Sequence, residues 1–176
     1  IFAFIFIGMA FAGGVSLFWF LMGGGLLAVA APILWSMMDG YQRNRIEVLF
    51  NPNLDPLGRT VRYHTVNSLK SLTSGGVAGQ GLYQGHRTQQ GALFAQHTDF
   101  VFSSIGEELG FIGCIATVIL ILCIIIRCVW VGNRSTDYMR KLICYGAASA
   151  LMFQMIVNIG MCIGVMPVIG LTLPFM

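Results

Sequence analysis

Three carboxylates lie close together where the character of the chain changes. Asp99, in Gln96-His97-Thr98-Asp99-Phe100, closes a long polar, glycine-rich segment. Glu107 and Glu108 follow just ahead of a run, residues 109–126, that carries no charge. About 20 helical residues cross the hydrocarbon core of a bilayer, so that run is a candidate span and the carboxylates stand at its boundary. A carboxylate held there offers acid–base chemistry or a seat for a cation. Ionisable groups this near to lipid are costly and are usually kept for a function. The competing reading is a solvated loop aspartate with two glutamates paired to nearby basic residues, and spacing by itself leaves both open.

The elements that must position these groups are membrane helices. Hydrophobic residues make up 56% of the 176 and charged ones only 10%. That balance excludes an ordinary water-soluble domain, and each span must be helical because an open sheet edge cannot survive in lipid. The fold class expected is all-α, a polytopic membrane helix bundle with a large loop outside it. The net charge of +3 is small and dispersed, so no nucleic-acid surface is implied. Cys114, Cys123, Cys128, Cys144 and Cys162 all lie in or beside apolar runs, where cysteine serves as a small apolar residue, and they give neither a disulfide framework nor a zinc site.

Taken in order, residues 1–11 read as the tail of one span, with Ala12-Gly13-Gly14 as a tight turn. Residues 17–38 form the next, interrupted by Gly23-Gly24-Gly25 and flanked by Trp19 and Trp35 at interface spacing. The chain opens inside an apolar run and closes at Leu173-Pro174-Phe175, where another segment begins, so an internal piece of a longer polytopic protein is expected. The polar segment, 39–99, holds a short amphipathic helix at Tyr41 to Phe50, stopped by Asn51-Pro52. Turns follow at 51–58, then an amphipathic stretch marked by Val61, Val66, Leu69 and Leu72 that ends at Gly75-Gly76. Gly75, Gly76, Gly79, Gly81 and Gly85 read as a flexible loop, without the pattern of a phosphate-binding fingerprint. The part from 100 to 176 carries two spans, 109–126 and 142–166, joined by a link, 127–141, with four basic residues and one acidic. That density places the link in the cytoplasm and the polar segment outside, although Arg43, Arg45, Arg59, Arg62, Lys70 and Arg87 lie on the outer side. Gln154 and Asn158, four apart, share a helix face and read first as a bridge between helices; Gly160 and Gly164 read as a small-residue seat for a neighbouring helix.

Several stretches together resemble the shape, elongation, division and sporulation proteins of bacteria, the RodA/FtsW type. They are Tyr41-Gln42 with Arg45 and Phe50, Asn51-Pro52 with Asp55-Pro56-Leu57-Gly58, and Ser74-Gly75-Gly76 with Gly79 and Gly81. His97-Thr98-Asp99-Phe100 follows, then Glu107-Glu108-Leu109-Gly110-Phe111, Asn158-Ile159-Gly160-Met161 with Gly164, and Pro167, Gly170 and Leu173-Pro174-Phe175. They keep the family's order over nearly the whole chain. The chain departs from the family at Leu93-Phe94-Ala95, where Leu-Pro-Glu is usual, at Tyr63-His64 and Asn67-Ser68, which stand later than usual, and at Leu72-Thr73.

The resemblance implies part of a ten-helix protein of the bacterial cytoplasmic membrane, with its large loop extracytoplasmic. It implies a peptidoglycan glycosyltransferase that polymerises lipid II beside a class B penicillin-binding protein, with Asp99 as the catalytic residue. In such an inverting transfer a sugar hydroxyl attacks an anomeric carbon while undecaprenyl diphosphate leaves. A hydroxyl is a weak nucleophile, so a carboxylate in hydrogen-bond reach must take its proton. His97 and Thr98 flank that base. Arg45, or a divalent ion such as Mg or Mn, would steady the leaving group, with Arg45 as an interfacial anchor of its own helix the alternative. Glu107 and Glu108 would support the site or hold a cation, against simple pairing with loop arginines. Two rival classes remain: a transporter of lipid-linked wall precursors, which polar residues and glycine-broken helices suit equally, and a non-catalytic membrane scaffold.

Overall fold

The computed structural model describes residues 1–51, 63–85 and 99–175, and the turns expected across 52–58, with Val61, His97 and Thr98, lie outside the described residues. Six helices are found among the described residues: α1 (Phe2–Ala12), α2 (Leu17–Met37), α3 (Gly40–Phe50), α4 (Tyr63–Ser74), α5 (Val101–Arg134) and α6 (Tyr138–Cys162). No strand occurs among them. Helices α2, α5 and α6 are each long and apolar enough to cross a membrane. The molecule is an all-α, polytopic membrane bundle.

The ends of these helices follow from local chemistry. Gly14, at φ +77°, turns the chain out of α1. Three consecutive glycines leave α2 unbroken, and so does Pro32, so Gly23-Gly24-Gly25 is no interruption. Asp39, in extended backbone, precedes α3, and Asn51 ends it before Pro52. The basic link shrinks to residues 135–137, because helix continues to Arg134 and resumes at Tyr138. There Asp137 caps α6 by accepting from the Met139 amide at 3.0 Å. Arg134, in the last turn of α5, complements the negative end of its helix.

Helices α5 and α6 form an antiparallel hairpin with the largest helix–helix contact among the described residues, and α1 lies against α6. Small residues let them close. A methyl on Gly8 would overlap Ser149 Oγ, and one on Gly132 would meet Cys144 and Tyr145 at 3.1–3.3 Å. Phe4 and Phe153 pack as a tilted pair with ring centroids 5.1 Å apart. Ile121, Ile125, Ala148, Met155 and Leu173 form the buried centre of the hairpin. Helix α2 buries no residue against the others.

Helix α5 begins at Val101, well before the expected span, and is not one rod. At 34 residues it would measure about 51 Å, against a hydrocarbon core of about 30 Å. Gly110 breaks it, with φ +69° and ψ −164°. The shorter arm, 101–109, carries Glu107 and Glu108 outside the spanning part, which runs from 111 to 134 and measures about 36 Å. At such a break the helical bonds from the Phe111 and Ile112 amides to the Glu107 and Glu108 carbonyls are lost. The glycine loop supplies replacements for all four groups. Gln80 and Gly81 amides donate to the Glu107 and Glu108 carbonyls at 3.0 Å each, and Phe111 and Ile112 amides donate to Gly76 and Val77 carbonyls at 3.0 and 3.3 Å. The expected flexible loop is therefore bound in place. Its glycines are required by close approach: a methyl on Gly75 would overlap Gly106 O, and one on Gly79 would overlap Glu108 O.

Candidate functional site

Asp99 sits one residue before the N-cap of α5, half-buried, beside the fully covered Phe100. Its backbone is held from α6. Asn158, fully buried, donates through Nδ2 to the Asp99 carbonyl at 2.9 Å and to the Leu171 carbonyl at 2.7 Å. The amide on the last span is thus a bridge, as its face suggests, and what it bridges is the Asp99 turn and the segment 163–175. Gln154 lies one turn earlier, half-buried.

That segment passes directly by the carboxylate. Gly170, at φ +76°, brings its backbone so close that an added methyl would lie 3.5 Å from Asp99 Oδ2. Its start is set by Gly164, which lies beyond the end of α6 and not within it. With φ +78°, Gly164 closes the helix in a left-handed turn: Val165 N donates to Gly160 O at 2.9 Å and Gly164 N to Met161 O at 3.2 Å. Gly160 is covered by the Met166 side chain, and Gly164 faces Thr65 and Leu69 of α4. The pair does not form one face for a neighbouring helix; the first seats the returning chain and the second seats α4.

Arg45 reaches the same segment from the other side. Its Nη1 donates to the Val168 carbonyl at 2.6 Å and its Nη2 to Tyr41 Oη at 2.8 Å, with the guanidinium 4.6 Å from the Tyr41 ring centroid. Here Arg45 fastens α3 to the chain that passes Asp99. Its partners are thus one on its own helix and one on that segment.

A buried polar junction supports the Asp99 turn from below, and sequence reasoning missed it. On α4 the half-buried Val66, Leu69 and Leu72 flank the fully buried residues, which are Ser68 and Ser71. Ser68 shares a 2.5 Å hydrogen bond with Ser103 of α5 and donates to the Cys162 carbonyl at 2.8 Å, so one hydroxyl ties three helices together. The only hint in the sequence is two small hydroxyls three apart, facing a third in Ser103. His64, one turn earlier, stacks on Phe100 with centroids 6.1 Å apart.

Glu107 is fully buried in the short arm of α5, under the glycine loop, and Glu108 is half-buried beside it. Among the described residues no three side chains of His, Cys, Asp or Glu converge. What the arrangement offers is a single carboxylate, partly open, on a backbone fixed by α4, α6 and the segment 163–175. A carboxylate so placed is chemically able to accept a proton.

Comparison with known proteins agrees with this architecture. A family model described as cell cycle protein, for FtsW, RodA and SpoVE, matches residues 1–176. Peptidoglycan glycosyltransferase MrdB of Escherichia coli K12 is 38% identical over 167 residues, 93% of this chain and 44% of that protein. A probable peptidoglycan glycosyltransferase FtsW of Trichlorobacter lovleyi is 32% identical over 168 residues, 96% of this chain and 43% of that protein. A solved structure described as the structural coordination of polymerization and crosslinking by a peptidoglycan synthase complex contains a similar chain. It aligns with a TM-score of 0.72 at 31% identity, over 98% of this chain and 46% of that one. The chain spans less than half the length of the proteins it matches.

Proposed function

The chain belongs to the FtsW/RodA/SpoVE family of cell cycle proteins, and from that premise we propose that it carries the catalytic half of a peptidoglycan glycosyltransferase. The substrate is lipid II, the product a glycan strand, and Asp99 is the general base. The observation that carries the reading is the clamped Asp99 turn: Asn158 holds its backbone carbonyl while the Gly170 backbone passes so close that an added methyl would lie 3.5 Å from the carboxylate.

The acceptor sugar's hydroxyl approaches Asp99, which takes the proton as the oxygen bonds to the anomeric carbon of the growing chain. Undecaprenyl diphosphate departs from the opposite face with the electron pair of the broken bond, and configuration inverts. His97 and Thr98, the two residues that precede the base in the sequence, contact the substrate. Arg45 acts by holding the segment that carries Gly170, and so positions the wall of the site. Glu107 and Glu108 support the short arm of α5. Within the bilayer the segment 39–99 is extracytoplasmic and 127–141 cytoplasmic, which sets Asp99 on the side where glycan is made. A class B penicillin-binding protein is the partner, in keeping with the complex that holds the similar solved chain.

The test is polymerisation by the intact purified protein with its partner, supplied with lipid II in detergent and no second compartment. Glycan chains are expected. Absence of polymer, with lipid II moved between leaflets of a sealed vesicle, identifies a transporter; neither activity identifies a scaffold.

A further inference from the structure

The far end of the α5–α6 hairpin, remote from Asp99, assembles a second cationic site. Arg127 and Arg134 stand about one helical turn to either side of Trp130 and set their guanidinium carbons 4.4 and 4.1 Å from the centroid of its indole. Two like charges converging on one ring repel each other unless an anion lies between or above them. Arg134 also lines, with Trp130, Ser135 and Arg140, a cavity of about 500 Å³ whose remaining wall is apolar, through Val131 and Ile143. The negative charge at hand is small. Asp137 lies 3.3 Å from Arg140 Nε, but both side chains are largely in solvent and Asp137 is already engaged as the cap of α6. Lys141 follows directly, so four basic residues face one carboxylate across residues 127–141.

We propose that this cavity binds the headgroup of an anionic phospholipid, with the phosphodiester between Arg134 and Arg140. The position favours a lipid over a soluble anion. The cavity lies where two spanning helices end, which is headgroup depth, and an indole marks that depth. Val131 and Ile143, both exposed, continue the cavity as an apolar surface on which an acyl chain rests. Basic pockets between membrane helices take acidic headgroups by the same combination of charge and apolar wall. The proposal is independent of the glycosyltransferase reading, since no residue of the Asp99 site takes part.

The test is native mass spectrometry of the intact protein released from micelles containing phosphatidylglycerol and phosphatidylcholine in equal amounts. Wild type is expected to retain phosphatidylglycerol in preference. Arg134→Gln with Arg140→Gln should weaken that retention roughly 25-fold, at about fivefold for each cation removed, and leave phosphatidylcholine unchanged. Arg134→Lys with Arg140→Lys, which keeps the charge, should retain at least part of the preference and shows that the hairpin still folds. Millimolar inorganic phosphate should fail to displace the lipid. Equal retention by wild type and the glutamine variant overturns the site, and displacement by inorganic phosphate overturns the lipid assignment in favour of a free anion.

Discussion

Gly79→Ala tests whether the glycine loop holds the break in α5. The methyl would overlap Glu108 O, and the backbone at φ +80° is one that a non-glycine residue adopts at a cost. The loop must therefore lift, and the bonds from Gln80 N to Glu107 O and from Gly81 N to Glu108 O are lost. At about 1 kcal/mol net each, with about 1 kcal/mol more for the left-handed backbone, the loss is about 3 kcal/mol. Gly76→Ala is the matched control. It too has positive φ, at +57°, but nothing lies within 4 Å of the added methyl, so only the conformational cost of about 1 kcal/mol applies. The assay is thermal unfolding of the intact protein in detergent, read beside hydrogen exchange at the Gln80 and Gly81 amides. Gly79→Ala should unfold at the lower temperature and expose both amides. Equal effects from the two alanines, or protected amides in Gly79→Ala, would refute the idea that the loop completes the broken helix.

Three further outcomes follow from other contacts. Gly164→Ala should destabilise by more than about 1 kcal/mol, since it strains the left-handed helix end and sets a methyl 2.9 Å from Thr65 Cγ2; unchanged thermal stability contradicts the packing of α4 on α6. Ser68→Ala should cost about 1–3 kcal/mol in the same assay, because Ser103 Oγ loses a partner in a buried place. Ser71→Ala should be near neutral, as Ser71 Oγ has no hydrogen-bond partner among the described residues; the reverse order contradicts the junction. For topology, Thr73 and Thr136 are exposed where Ser71 is buried, so cysteines belong there in a background cleared of the natural ones. Thr73→Cys should react with an impermeant thiol reagent in intact cells and Thr136→Cys should not, and reversed labelling inverts the orientation.

Much of the bundle is legible in the residues, because membrane spans obey strong constraints on length and charge. The α3 helix between Asp39 and Asn51-Pro52, the α5–α6 hairpin and the bridging role of Asn158 all follow from local patterns. The break at Gly110 does not. A lone glycine in an apolar run reads as a packing device, and only the loop from Gly75 to Gly81, distant in sequence, supplies the bonds that make a break possible. Gly164 shows the same limit: its spacing from Gly160 fits a helix face, yet the helix ends first, and left-handed closure is decided by the chain that follows. The buried face of α4 escaped because periodicity tracks apolar residues, whereas Ser68 and Ser71 are the covered ones. Tertiary partners, not propensity, decide each of these. At the site, the types of Asp99 and Arg45 are readable from the chain, but the segment around Gly170 that joins them is visible only in three dimensions.

The central claim is that Asp99 takes a proton during glycosyl transfer, and Asp99→Asn addresses it directly. The amide keeps the size of the side chain and leaves the Asn158 bond to the Asp99 carbonyl in place, so folding and membrane insertion should be unaffected. Polymerisation of lipid II by the intact purified complex should fall by a factor of about 100 to 10,000, the usual worth of a positioned base. Glu107→Gln and Glu108→Gln, read as supporting residues, should lose less. Near-normal glycan chains from a stable Asp99→Asn protein would contradict the assignment, and a larger loss from Glu107→Gln would place the base in the short arm of α5 instead.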